Sequence, residues 1–363
     1  MKYLSKFLIL PATFILISNS VYADENNFKR WAVSTGWLHI MPQGKANSIY
    51  IDTAVEEGKN YGVSKLKTSD VINHSLNLDD YRTGLAGIAI RSIENAYNRD
   101  PESYVSDIYA KDLHADINGV SSWENNAGLE ADNADTLGLT VSYFVKDNIS
   151  LELMAGIPPK VDIKGKGQIM ASAHAEANSS ATLPGLVNGL ILEKDILITD
   201  LGAHSKVAEV TAWTPALTAK YHFGISGKDK FRPFIGAGIV YGYFNKLKLD
   251  DAVEQDLINA GHMVQNILDD QAGLALENTG TSSANPIVKV KTTDALAPVI
   301  TAGFSYDFSG RWFTTASLTY MPNFYNTATI EIIDSNTGEQ LLKGRTRVDL
   351  DPLITYVGVG YRF

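Results

Sequence analysis

The sequence predicts an all-β protein: an eight-stranded antiparallel transmembrane β-barrel whose long extracellular loops hold short helices. Three observations predict it. Apolar residues alternate with small or polar ones at period two; the alternating runs come in pairs joined by short turns; and the long connections all fall at the opposite ends of those pairs.

The chain opens with Lys2 and Lys6, an apolar run from Phe7 to Ile17 and the small-residue site Val21-Tyr22-Ala23. A basic start, a short apolar stretch and such a site describe a secretory signal peptide over residues 1–23. The barrel is then expected over 24–363. No later apolar run approaches the roughly 20 residues of a helical span. Only helices and closed barrels satisfy every backbone group inside a bilayer, so a spanning chain of this kind has to be a barrel.

The first strand is read over Trp31 to Met41. Leu137, Leu139, Val141, Tyr143 and Val145 then share a face, and after the turn Lys146-Asp147-Asn148 so do Ile149, Leu151, Leu153 and Ala155. A second pair runs Pro215 to Phe223 and Phe231 to Phe244, and a third runs Pro298 to Phe308 and Arg311 to about Ile330. The last strand is read over Arg345 to Phe363, with Leu353, Thr355, Val357, Val359, Tyr361 and Phe363 on one face. Pairing of the first and last strands removes both sheet edges.

Connections near 146, 224 and 309 are short, whereas those over about 43–133, 159–208, 247–292 and 334–344 are long. Short periplasmic turns opposite long outer loops are the outer-membrane arrangement. Tyr143, Tyr221, Phe231, Tyr306, Trp312, Tyr361 and Phe363 gather at the short-turn end. They read as an interfacial girdle or as ordinary strand propensity. Two loops carry helical spacing: Leu85, Ile88, Ala89, Ile93, Ala96 and Tyr97 in one, and Val253, Leu257, Ala260, Val264, Ile267 and Leu268 in the other. These helices cap the barrel mouth or form a binding vestibule; the spacing fits both.

The charge excludes some functions. Thirty-one Lys and Arg against 41 Asp and Glu give −10, the wrong sign for a nucleic-acid partner. There is no cysteine, and the seven histidines show no ligand spacing such as H-E-x-x-H. No catalytic constellation, metal site or cofactor motif is visible, so no enzymatic activity is expected.

On the inward face, Glu152, Lys220, Arg232, Asp307 and Arg362 converge toward the short-turn end. Opposite charges there can pair inside a barrel only just wide enough for side chains. Such a network fixes the barrel and would also close its floor to an apolar solute. Higher up the inward set becomes small and apolar: Leu38, Gly138, Met154, Gly238, Val240, Thr319 and Met321. Small residues there leave space for a hydrophobic pocket. Prolines 42, 158, 159, 215, 298, 322 and 352 lie toward the long-loop ends. They mark strand ends, or weaken the wall enough for a lateral exit.

The segments "LGLTVSYFVKDNISLELMAGIPPKVDIKGKG" (137–167), "TPALTAKYHF" (214–223), "FRPFIGAGIVYGYF" (231–244) and "VDLDPLITYVGVGYRF" (348–363) resemble the outer membrane protein W (OmpW) family. The resemblance covers the strands, about half of the mature chain, and not the long insertions. It implies an eight-stranded barrel in the outer membrane of a Gram-negative bacterium, with a narrow apolar lumen through which small hydrophobic molecules pass and then leave sideways into the bilayer. Two positions that narrow the lumen in the family match Met154 and Thr319 here. Thr319 is neither large nor apolar, which puts that gate in doubt and leaves Met321 or Leu38 as a substitute. The expected partners are outer-membrane lipid and lipopolysaccharide, small hydrophobic solutes, and the barrel-assembly machinery that would read the terminal Tyr361 and Phe363. A monomer or weak oligomer is expected. The alternative function is a barrel-anchored surface-binding or adhesion protein acting through its long loops.

Overall fold

A computed structural model describes residues 29–363 except 112, 180–186 and 278–279. The expected signal peptide lies outside the described residues. Eight strands form the barrel: β1 (Trp31–Met41), β2 (Ala134–Lys146), β3 (Ile149–Gly156), β4 (Ala216–His222), β5 (Phe231–Leu249), β6 (Ala295–Asp307), β7 (Trp312–Tyr320) and β8 (Leu353–Arg362). Each pairs antiparallel with the next, and β8 pairs with β1 from Ala32↔Arg362 to Met41↔Leu353, so the barrel closes. Closure leaves no barrel edge for another chain to extend.

The alternation read from the sequence sorts the side chains. Leu139, Leu153, Leu217, Ile239, Ile300 and Val357 point outward and are exposed, an apolar belt that bilayer hydrocarbon covers. At the short-turn end the aromatic residues touch in pairs, with ring centroids 4.9 Å apart for Trp31–Tyr143 and 5.1 Å for both Trp312–Tyr361 and Tyr361–Phe363. Apolar ring bodies with polar tips suit the membrane–water boundary.

Beyond the membrane the chain does not dissolve into loops. The barrel sheet continues upward: β5 is 19 residues long, and its upper part pairs with Ala208–Trp213, then Lys160–Lys166, then Gly128–Ala131. A five-stranded sheet gathers Pro286–Thr292, Tyr325–Asp334, Gln340–Asp349, Ile49–Thr53 and Ser122–Asn125. A four-stranded sheet gathers Ile191–Asp200, Gln168–Ser179, Leu113–Asn118 and Lys59–Gly62.

The single strands expected over 311–330 and 345–363 are each broken where barrel gives way to outer sheet. Asn323 and Asp351 adopt positive φ (56° and 38°), and the Asp351 carboxylate accepts a 3.0 Å bond from Phe324 N. Pro322 and Pro352 sit beside these breaks and cannot donate to a ladder.

The two helical loops fold as helices α1 (Gly84–Arg99) and α2 (Asp251–Leu268). Asp250 caps α2 by accepting from Ala252 N at 3.1 Å, and Val253, Leu257, Ala260, Val264 and Ile267 form its buried face, as their spacing predicts. In α1 Ala89 and Ile93 are buried as expected, together with Gly87 and Ile90, whereas the expected Leu85 and Ile88 are exposed. Gly87 lies against the Arg82 carbonyl, where a Cβ would come within 2.3 Å.

Candidate functional site

The barrel floor is built first, from the ends of strands next to the short turns. β3 and β4 place Glu152 opposite Thr218, with Lys220 one step further along the same inward face. Their side chains form a buried ion pair, and Ser142 Oγ donates to Glu152 Oε2 at 2.9 Å. The Lys220 ammonium lies 4.3 Å from the Phe234 ring centroid. Arg362 pairs with Asp307, its guanidinium 4.3 Å over the Phe313 ring. Arg232, 1% exposed, donates to the carbonyl oxygens of Asp147 at 2.7 Å and Gly224 at 3.3 Å. Its carboxylate partner is Asp147, at 3.6 Å. All five charged residues read from the sequence are therefore brought inward, as two ion pairs and one arginine tied to the turns.

Ser150 Oγ bonds His222 Nε2 at 2.8 Å, with the His222 ring between Phe144 and Phe234. Above it, Ser34 Oγ bridges Thr140 Oγ1 at 2.6 Å and Tyr356 OH at 2.8 Å. Asp147, Ser142, His222 and Tyr356 escaped the sequence reading. Asp147 lies in a turn, where acids are usually solvated, and no sequence pattern marks the other three as a set.

The small inward residues do not leave the lumen open. Rings from neighbouring strands occupy the space: a Cβ on Gly360 would meet Phe313 at 2.3 Å, one on Gly303 would meet Phe234 at 2.7 Å, and one on Gly138 would meet Tyr356 at 3.0 Å and Leu38 at 3.1 Å. Glycine is used here for close approach. Leu38, Met154, Val240 and Thr319 are buried in this filled zone, and Thr319 Oγ1 bonds Thr301 Oγ1 at 2.9 Å.

Space appears one level higher. An apolar cavity of about 130 Å³ lies over the barrel mouth. Met321, Ile40 and Ile354 form its barrel side; Val210 and Phe244 come from the barrel extensions, Ile51 from the five-stranded sheet, Ile198 from the four-stranded sheet, and Leu257 and Ala260 from α2. Of the five lumen residues read from the sequence, Met321 lines this cavity and the other four lie outside its lining.

The wall beside the cavity is incompletely paired. The β3–β4 ladder stops at Met154↔Ala216, and the continuing strands meet again where Ala212 N donates to the Pro159 carbonyl at 3.1 Å, next to Lys160↔Thr211. Pro158, Pro159 and Pro215 fall in that interval, and Ala212 and Thr214 there line the cavity. The β6–β7 ladder likewise stops at Ile300↔Tyr320, and pairing resumes at Thr292↔Ala328. No cluster of three or more His, Asp or Glu residues placed to hold a metal occurs among the described residues.

Sequence comparison identifies relatives of this chain. The chain is 27% identical over 233 residues to outer membrane protein W of Vibrio cholerae, covering 64% of this chain and 75% of that one. It is 21% identical to outer membrane protein AlkL of Ectopseudomonas oleovorans over 71% of this chain and 79% of that one. Among solved structures it resembles the outer membrane protein OprG of Pseudomonas aeruginosa, at 14% identity and a TM-score of 0.49, covering 92% of this chain and 96% of that one. The OmpW family model matches residues 103–278 and 275–363. Matched over well more than half its length and folded as a closed eight-stranded barrel, the chain belongs to the OmpW family and resides in the outer membrane of a Gram-negative bacterium.

Proposed function

We propose that the protein provides passive uptake of small hydrophobic molecules, which enter the cavity above the barrel and leave sideways through the wall into the bilayer. The observation that carries this reading is the stacking of three features. An apolar cavity sits over a barrel filled by rings and ion pairs, and beside wall intervals where ladder pairing is interrupted. A solute in the cavity meets a blocked path downward and a weakened wall sideways. Apolar lining with few polar groups suits an apolar guest. The same reading keeps lipopolysaccharide and the barrel-assembly machinery as partners, and assigns the chain no catalysis.

The test fills the cavity where it is used. Ala260→Phe on α2 should slow the uptake of an apolar substrate by cells several-fold while the barrel still inserts and folds. Uptake at the wild-type rate by a correctly folded Ala260→Phe protein would sink the reading.

The extracellular mass supports a second reading, surface binding through the outer domain. Leu76, Leu85, Ile88 and Ile108, all in the segment between β1 and β2, are more than half exposed.

A further inference from the structure

The cavity wall is not purely hydrocarbon. Two of its lining residues, Asn326 and Thr199, each carry a buried side-chain oxygen, Oδ1 and Oγ1, that has no hydrogen-bond partner. Asn326 stands on strand Tyr325–Asp334 and is 7% exposed; Thr199 stands on strand Ile191–Asp200 and is 2% exposed. The two come from different sheets, so one local irregularity does not explain both. Their neighbours in the lining are aliphatic: Ala328 and Ile330 on the strand of Asn326, and Ile198 and Leu201 beside Thr199.

An enclosed polar atom without a partner is costly, and nearly all such atoms in folded proteins are satisfied. Two on one cavity wall are an unmet demand for hydrogen bonds. Leu or Val would meet the packing need at these positions at no such cost. Asn offers both a donor and an acceptor; a threonine hydroxyl offers the same.

We propose that this cavity selects apolar molecules that carry one small hydrogen-bonding group, such as a hydroxyl or carbonyl, over plain hydrocarbons, and that Asn326 and Thr199 set that preference. The inference rests on the cavity being the solute site. The preference arises because a guest bearing such a group satisfies the wall, whereas a hydrocarbon of equal length leaves the polar atoms unpaired. Sites that hydrogen-bond a polar group discriminate against analogues lacking it more strongly than apolar sites discriminate by a methylene.

The test uses the full chain in lipid nanodiscs and two probes of equal chain length, octan-1-ol and n-octane. Binding is measured for wild type and for the volume-conserving variants Asn326→Leu and Thr199→Val, with folding confirmed by heat-modifiable migration. The expected result is that wild type prefers octan-1-ol beyond its partition difference from octane. Asn326→Leu should lose about tenfold for the alcohol, roughly the worth of one buried hydrogen bond, while octane binding holds or improves. Thr199→Val should shift the preference in the same direction. Equal changes for both probes, or none, would overturn the inference and leave the cavity reading standing. Failure of both probes to bind wild type would overturn the two together.

Discussion

The interior of the barrel and the interior of the domain above it solve one problem in opposite ways. In the barrel, glycines on one strand receive rings from the next, and charges are paired, so the space is occupied. In the outer domain, strands from three sheets and a helix meet through aliphatic side chains and leave a cavity. A barrel of eight strands has room for side chains and little else. Three converging sheets enclose more volume than their side chains fill. The difference locates the candidate site in the domain above the barrel, outside the lumen.

The largest test of this contrast strikes the floor. Lys220→Met leaves Glu152 buried without its counter-charge, which is expected to cost about 3–5 kcal/mol in urea unfolding from bilayers. The double variant Lys220→Met/Glu152→Gln should recover most of that. A single variant within about 1 kcal/mol of wild type would show that the floor is not held by its ion pairs.

A smaller effect comes from adding bulk in each region. Gly360→Ala would drive a Cβ into the Phe313 ring and should cost about 1–3 kcal/mol, because filled interiors resist overpacking. Ala212→Val, on the cavity wall, should cost less than half as much. Equal costs would erase the distinction between a filled barrel and a hollow cap.

The smallest effect is a pH dependence confined to the outer domain. Asp70 is held above the usual carboxylate range, chiefly by burial, and the Glu277 carboxyl pushes it the same way against Lys194. The raised value means that the native state binds the Asp70 proton more tightly than the unfolded chain does. Its contribution is fully present below the unfolded pKa of about 3.9 and is lost as pH rises through the native value. Asp70→Asn removes this slope, so the variant should gain stability relative to wild type as pH rises from about 4, followed by Trp123 fluorescence. Parallel pH profiles would show that Asp70 does not titrate in this way. Glu277 sets the opposite slope: burial raises its pKa, but bonds from Lys67 and Asp70 and the nearby lysine charges bring it below the usual range, so its contribution fades on acidification.

Much of the barrel was legible because period-two alternation is a local property. β1 falls on Trp31–Met41 as read, and the inward charges follow from strand parity alone. The outer sheets were not legible, since their pairings join distant segments, as Leu342 does with Thr53. The strand Gln168–Ser179 reads as part of a long loop because alanine and serine, weak strand formers, make up much of it. Inward glycines misled for a physical reason: a missing side chain marks either an empty place or one filled from next door, and only packing tells which. Thr199 and Asn326 gave no signal, because an orphaned polar atom exists only once its surroundings are built.

The five-stranded sheet binds the two ends of the chain's timetable together. Its strand Ile49–Thr53 follows directly on β1, while its partner Gln340–Asp349 is made last, just before β8. The sheet side of the cavity is therefore assembled by the same event that seals the barrel, when β8 meets β1. On the reading proposed above, a chain whose barrel has not yet closed has no such chamber to offer a solute.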